Sequence, residues 1–319
     1  MAESSLEWVF PVIATVIWLL FFGSVVEQYL RKRKTHQLVW GIALLMVVVV
    51  MGAEALSYFL GEWNPWLYRI YYVLAAFQVT ILGTGVIYLL RSRELINEQN
   101  TFGGLLIFGG IWLVFGIPFT FFVSPVFFVI ILLAFLYIGL ALISFFTEWN
   151  TSGTQFAHLF ALTNVVVFGV MMVSAWSSPV DVEILKSLLG HQIGGAGWEE
   201  STIVRSFSPL LTVPGAFALI GGALFSYFKL QRYLKYKTGH YNPKTGVFNL
   251  FLAGGSLLLA TSGVLLRFGL AGTLLLYTVN TLAVILMYFG FLESDSISMH
   301  KLIEVLTFQW LRSSETQIS

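Results

Sequence analysis

The sequence predicts an all-α fold, a polytopic transmembrane bundle of about nine membrane helices, and three observations carry that prediction. Of 319 residues, 57% are hydrophobic and only 10% are charged, where a soluble domain carries about 25% charged residues. Mean hydropathy is +0.84. The apolar residues fall in blocks of roughly 20, the length that crosses a ~30 Å hydrocarbon core at about 1.5 Å per residue. Barrel strands would show ~10-residue segments with in-out alternation. Here the runs are continuous, as in MVVVVMGAEAL and VFFVIILLAFLYIGLALI. A helix pairs its own backbone groups within one segment, which is what lipid demands.

The first segment is about 8–30. Its leader, Met1 to Trp8, holds Glu3 and Glu7 and no Lys or Arg. It reads as a span, since a cleaved signal peptide needs a basic leader and a shorter apolar core. The second segment is about 38–60 and the third about 67–90, joined through GEWNPW. The fourth, about 102–123, meets the fifth, about 125–146, at FVSPV. Proline drives the residue before it out of helical geometry, so Ser124-Pro125 is expected to turn there. The sixth is about 156–176, and an outer loop follows at about 177–208. The last three are about 209–229, 246–267 and 270–292. Residues 1–292 therefore form the bundle. Residues 293–319 form a cytoplasmic tail, in which HKLIEVLTFQWLR reads as an interfacial amphipathic helix.

Lys and Arg orient the chain. With the N-terminus outside, thirteen of them fall inside, including the run Arg31, Lys32, Arg33, Lys34. Only Arg69, Lys186, Arg205 and Arg267 stay outside. That positive-inside bias agrees with an odd number of spans and a cytoplasmic C-terminus in a cell membrane. Trp63, Trp66, Trp149 and Trp176 sit near segment ends, at the depth where an amphipathic ring meets both lipid and water. Ala218, Gly222 and Ser226 recur every four residues in the seventh segment, a small-residue seam for close helix packing.

Several stretches together, KTHQLVWGIALL, LYRIYYVL, LGTGVIYLL, LIGGALFSY and SGVLLRFG, resemble a loose group of uncharacterised prokaryotic multi-pass membrane proteins. The resemblance covers the first three and last three segments. It implies membrane location and carries over no activity and no functional residue.

Polar groups within spans are the informative residues, because a membrane tolerates them only for a reason. Glu54 stands about two turns from the outer end of the second segment. Arg69, after the tight turn, and Arg267, at the outer end of the eighth segment, are its expected partners. The plain reading is a structural ion pair that fixes packing; the functional readings are ligand binding and a proton relay. Glu27 and Arg31, at i and i+4, suit an ordinary helix salt bridge. Gln78, Asn164 and Asn280 are the remaining intramembrane candidates. Each reads first as interhelical hydrogen-bond glue, and a patch formed by all three would favour a substrate site instead.

No catalytic residue stands out, and no His-Glu cluster suits a metal. The chain has no cysteine, which excludes disulfides and thiolate ligation. No cofactor is predicted. Among the five His residues, only His36 and His158 stand at matched depth for a haem, and no paired-His spacing within a span supports one. The formal charge of +1 gives nucleic acid no electrostatic purchase. The expected partners are the lipid bilayer and, as open options, other membrane proteins or a second copy.

In the outer loop, VDVEILKSLL suits a short interfacial helix and the following GGAG a flexible turn. The loop is expected to be a lid or a plain connector. Asn150-Thr151-Ser152 matches a glycosylation acceptor but falls inside. Three functional classes remain. The first binds, senses or carries a small solute or lipid around Glu54. The second is a non-catalytic subunit packing in a membrane complex. The third is a membrane redox or lipid-modifying enzyme, ranked last because catalytic polar groups do not cluster.

Overall fold

The computed structural model describes residues 9–92, 98–120, 124–146, 152–187, 195–199, 202–240, 246–267 and 273–294. They form α1 (Val9–Lys32), α2 (Thr35–Leu60), α3 (Pro65–Ser92), α4 (Glu98–Thr120), α5 (Ser124–Phe146) and α6 (Gly153–Ser177). The short α7 (Val182–Ser187) and a 3-10 turn (Gly195–Gly197) follow. The last helices are α8 (Val204–Ala216), α9 (Gly222–Thr238), α10 (Val247–Arg267) and α11 (Thr273–Ser294). A π turn, Phe217–Gly221, joins α8 to α9 without a break. Among the described residues, the one strand-like feature is a bridge between Val180 and Trp198.

Six of these helices are long and apolar enough to cross a membrane. The described apolar parts of α4, α5 and α10 are shorter, at Thr101–Val114, Leu132–Ile143 and Val247–Ser262. Ser124 and Pro125 open α5, while Phe122 and Val123 of FVSPV, Asn150-Thr151 and the tail beyond Ser294 lie outside the described residues. Ser152 caps α6 instead: its hydroxyl accepts from the Gln155 amide, and the Gln155 side chain accepts from the Ser152 amide, a reciprocal capping box.

Helix α3 is the spine. Its spanning window is 72% buried, against 28–50% for the other five. One apolar core joins α3 to α4, α5, α6 and α8, and a second joins it to α1, α2, α9, α10 and α11. Local chemistry sets the turn into α3. Gly61 takes φ 72° at the end of α2, the Asn64 side chain accepts from the Trp66 amide, and Pro65 opens the helix where its missing N–H costs nothing. Sequence spacing then sets the registers. Trp40 of α2 donates to the Leu82 carbonyl of α3 and lies over Gly85. Phe77 of α3 stacks on Phe168 of α6 at 3.9 Å. Both neighbours run antiparallel to α3.

The seam of small residues on the seventh segment packs as its spacing suggests. Ala218 and Gly222 face Gly83 and Val86 of α3. A Cβ on Gly83 would overlap the Gly215 carbonyl oxygen, and one on Gly215 would stand 2.6 Å from the Thr80 Cα. Glycine is what lets these backbones touch. Pro214 lies inside α8 and withholds an N–H from the preceding turn. Beside that weakened stretch, Thr80 donates to the Leu211 carbonyl across the helix pair at 2.6 Å.

Candidate functional site

Glu54 sits in a stretch of α2 where its neighbours are Ala53, Ala55 and Ser57, all buried. Its side chain is 1% exposed. Tyr277 of α11 donates its hydroxyl to Oε1. Oε2 is buried and meets no hydrogen-bond partner. Tyr58, one turn along α2 on the same face, stands beside the Tyr277 hydroxyl. Tyr71 of α3 is close enough to feel the Glu54 charge. Phe10 of α1 stacks on Tyr277 with ring centroids 6.0 Å apart. Three helices thus bring tyrosines to one carboxyl with one unmatched oxygen, and α1 packs Phe10 on Tyr277.

The expected Glu54–Arg69 pair is not formed. Arg69 turns to α6, where Nε donates to the Ala175 carbonyl and a terminal nitrogen donates to the Ser178 carbonyl, each at 3.0 Å. The reason is local: the last carbonyls of a helix lack intrahelical donors, and a nearby cation both bonds them and matches the dipole. Arg267 ends α10, and its side chain lies outside the described residues. The Glu27–Arg31 bridge forms at 3.5 Å with both side chains largely exposed, where such a pair contributes little.

The three amide candidates do not form a common patch. Gln78 lies on the α3 stripe that runs from Tyr71, beside Glu54, to Gly85, under Trp40. That stripe faces α2, and Gln78 Oε1 is buried without a partner. It therefore belongs to the Glu54 seam, about two turns deeper. Asn164 of α6 is fully buried in the other core and donates to the Phe160 carbonyl at 2.7 Å. Asn280 of α11 accepts from Ser262 of α10 at 2.5 Å, the interhelical glue its position suggested.

His36 packs edge-on against Trp40 at 5.5 Å, whereas the exposed His158 shares a 2.8 Å hydrogen bond between Nδ1 and the Tyr88 hydroxyl. Each ring has its own neighbours on a different helix, and α2 and α6 both pack on α3. Among the described residues, no group of three or more His, Asp or Glu could hold a metal ion.

The outer loop differs most from expectation. Its described part is docked, neither lid nor loose connector. Trp198 and Gly197 are buried, and the Gly197 amide donates to the Tyr68 hydroxyl at 3.1 Å. Trp198 packs on Tyr68 and Tyr72 at 5.3 and 5.6 Å, with the Arg69 guanidinium 5.9 Å from its ring centre. Gly197 is squeezed between Leu185 and Tyr68, so the glycine serves a close approach. Trp66 and Trp176 do pair in the exposed position expected of interfacial rings, but Trp63 is buried against Tyr71.

The chain matches no protein-family model, no curated protein and no solved structure. Sequence reading found Glu54 and missed what surrounds it. Tyr58 was within reach of pattern alone, since i and i+4 share a helix face. Tyr71 and Tyr277 were not, because they come from helices whose register no local signal sets.

Proposed function

We propose that this chain is a cell-membrane protein, with its N-terminus outside and C-terminus inside, that binds, senses or carries a small solute at Glu54. The single observation that supports this is the buried Oε2 atom with no partner. An unmatched buried oxygen costs about 1–3 kcal/mol, and a ligand with a hydrogen-bond donor removes that cost. An ammonium group suits the surroundings best, because a carboxyl and a set of neighbouring tyrosine rings both attract a cation. Below Glu54, the α2–α3 seam offers Gln78 and then a small apolar crevice lined by Trp40, Leu44 and Leu82. That succession gives a carrier reading a direction toward the basic end.

The test is a thermal shift on the purified protein in detergent, with ethylammonium, tetramethylammonium and neutral propanol as probes. The expected result is a rise in Tm with an ammonium probe that propanol does not give and that Glu54→Gln abolishes. No shift with any probe, together with a large drop in Tm for Glu54→Gln, would leave Glu54 as a packing tie between α2 and α11. The chain would then read as a structural subunit.

A further inference from the structure

The half of the bundle built on α4, α5 and α6 holds buried polar atoms that Glu54 does not use. Trp112 of α4 is 1% exposed, and its indole Nε1 meets no acceptor. Asn164 of α6 is 0% exposed, and its Oδ1 meets no donor. The orientation of that amide is fixed by its other end, since Nδ2 donates to the Phe160 carbonyl. One of these groups can only donate, and the other has only an acceptor left.

Register brings them level. Phe156 of α6 would meet a Cβ on Gly104 of α4 at 2.9 Å, and Phe108 lies 4.8 Å from Phe160. Both pairs carry the same offset, so α4 and α6 run parallel here. One turn further, Trp112 follows Phe108 and Asn164 follows Phe160. Beside Asn164, Thr163 receives a hydrogen bond from the Tyr137 hydroxyl of α5 at 3.3 Å. Three helices thus place a free indole donor, a free amide acceptor and a hydroxyl pair at one depth. The site is separate from Glu54. Antiparallel register puts Tyr71 level with residue 174 of α6, about 15 Å along the helix from Asn164.

We propose that this is a second, uncharged binding site, occupied by a hydroxyl group that accepts from Trp112 Nε1 and donates to Asn164 Oδ1. The chemistry follows from the two unmatched atoms: a hydroxyl oxygen offers both roles at once, and a cation or an anion offers only one. Polar internal sites of this kind hold water, whereas apolar ones stay dry. Water and a small alcohol share the required group.

The test uses the full chain in detergent. Asn164→Leu and Trp112→Phe each remove one side of the bridge. With a bridging hydroxyl, each lowers Tm, and the double variant falls no further than the lower single variant. A rise in Tm for either single variant would mean two dry, unmatched atoms, and additive falls would mean unrelated packing roles; either result overturns the proposal. Radiolytic hydroxyl labelling of the unmodified protein keeps the question open to test if the variants do not fold. Trp112 should then be oxidised well above Trp18, which is also buried; equal, low labelling overturns the proposal. Ethanol separates the two sources. If it raises wild-type Tm but not that of Asn164→Leu, the occupant is an alcohol; if it shifts neither, the occupant is water.

Discussion

Tyr277 of α11 reaches Glu54 of α2 across 223 positions of sequence and donates to one carboxyl oxygen, while the other oxygen has no partner. The contact ties α11 to α2. It also replaces the ion pair that the charge pattern alone suggested. A tyrosine satisfies half of a carboxyl without adding a second charge to the apolar interior, where each charge is costly.

Tyr277→Phe should therefore destabilise the protein by about 1–3 kcal/mol, because it leaves the buried carboxyl with two unmatched oxygens. In a Glu54→Leu background the same change should cost much less. Chemical or thermal unfolding in detergent gives the cycle. Additivity within about 0.5 kcal/mol would mean that the two side chains do not depend on one another.

Arg69 should prove to be a clasp for α6 and the docked loop. Arg69→Met keeps much of the apolar stem but loses both bonds to the Ala175 and Ser178 carbonyls. Hydrogen bonds from a charged donor contribute about 1.5–3 kcal/mol, so Tm should fall. Amide exchange at Gly197 and Trp198 should accelerate, since Trp198 loses the guanidinium against its ring. Unchanged exchange at those two amides would show that the loop docks through Tyr68 and Leu185 alone.

The bundle itself was legible because lipid imposes a simple rule: apolar blocks of spanning length must be helices. The Glu27–Arg31 bridge and the Ala218–Gly222 seam were legible for a similar reason, since both depend on spacing within one helix. The carboxyl's surroundings were not. Glu54 meets Tyr277 of α11 and lies near Tyr71 of α3, and no spacing rule relates helices so far apart in the chain. The outer loop misled for a different reason. Glycines at 195 and 197 read as freedom, yet Gly197 is small because Leu185 and Tyr68 leave no room.

Gly83→Ala should be among the most damaging small substitutions in the chain. The added Cβ meets the Gly215 backbone oxygen, which has no rotamer to move. Overpacking of a tight seam costs about 1–3 kcal/mol. Gly23→Ala, with open space around it, is the control and should leave Tm unchanged or slightly higher. Equal effects from the two would mean that α3 and α8 are not held at backbone contact.

The orientation can be tested cleanly because the native chain has no cysteine. Ser5→Cys and Ser314→Cys each place one thiol near an end of the chain. In right-side-out vesicles an impermeant maleimide should label the first and spare the second until the membrane is opened. The expectation rests on the run of four basic residues between α1 and α2 and on the cations that follow Tyr227 on α9, all at one end of the bundle. Labelling of both thiols from the same side would make the number of spans even. An even count needs a single span fewer, and the α4–α5 connection at FVSPV, with almost no polar residue, is where one would be lost. A re-entrant hairpin of α4 and α5 together would remove two spans, keep the count odd and leave the C-terminus inside.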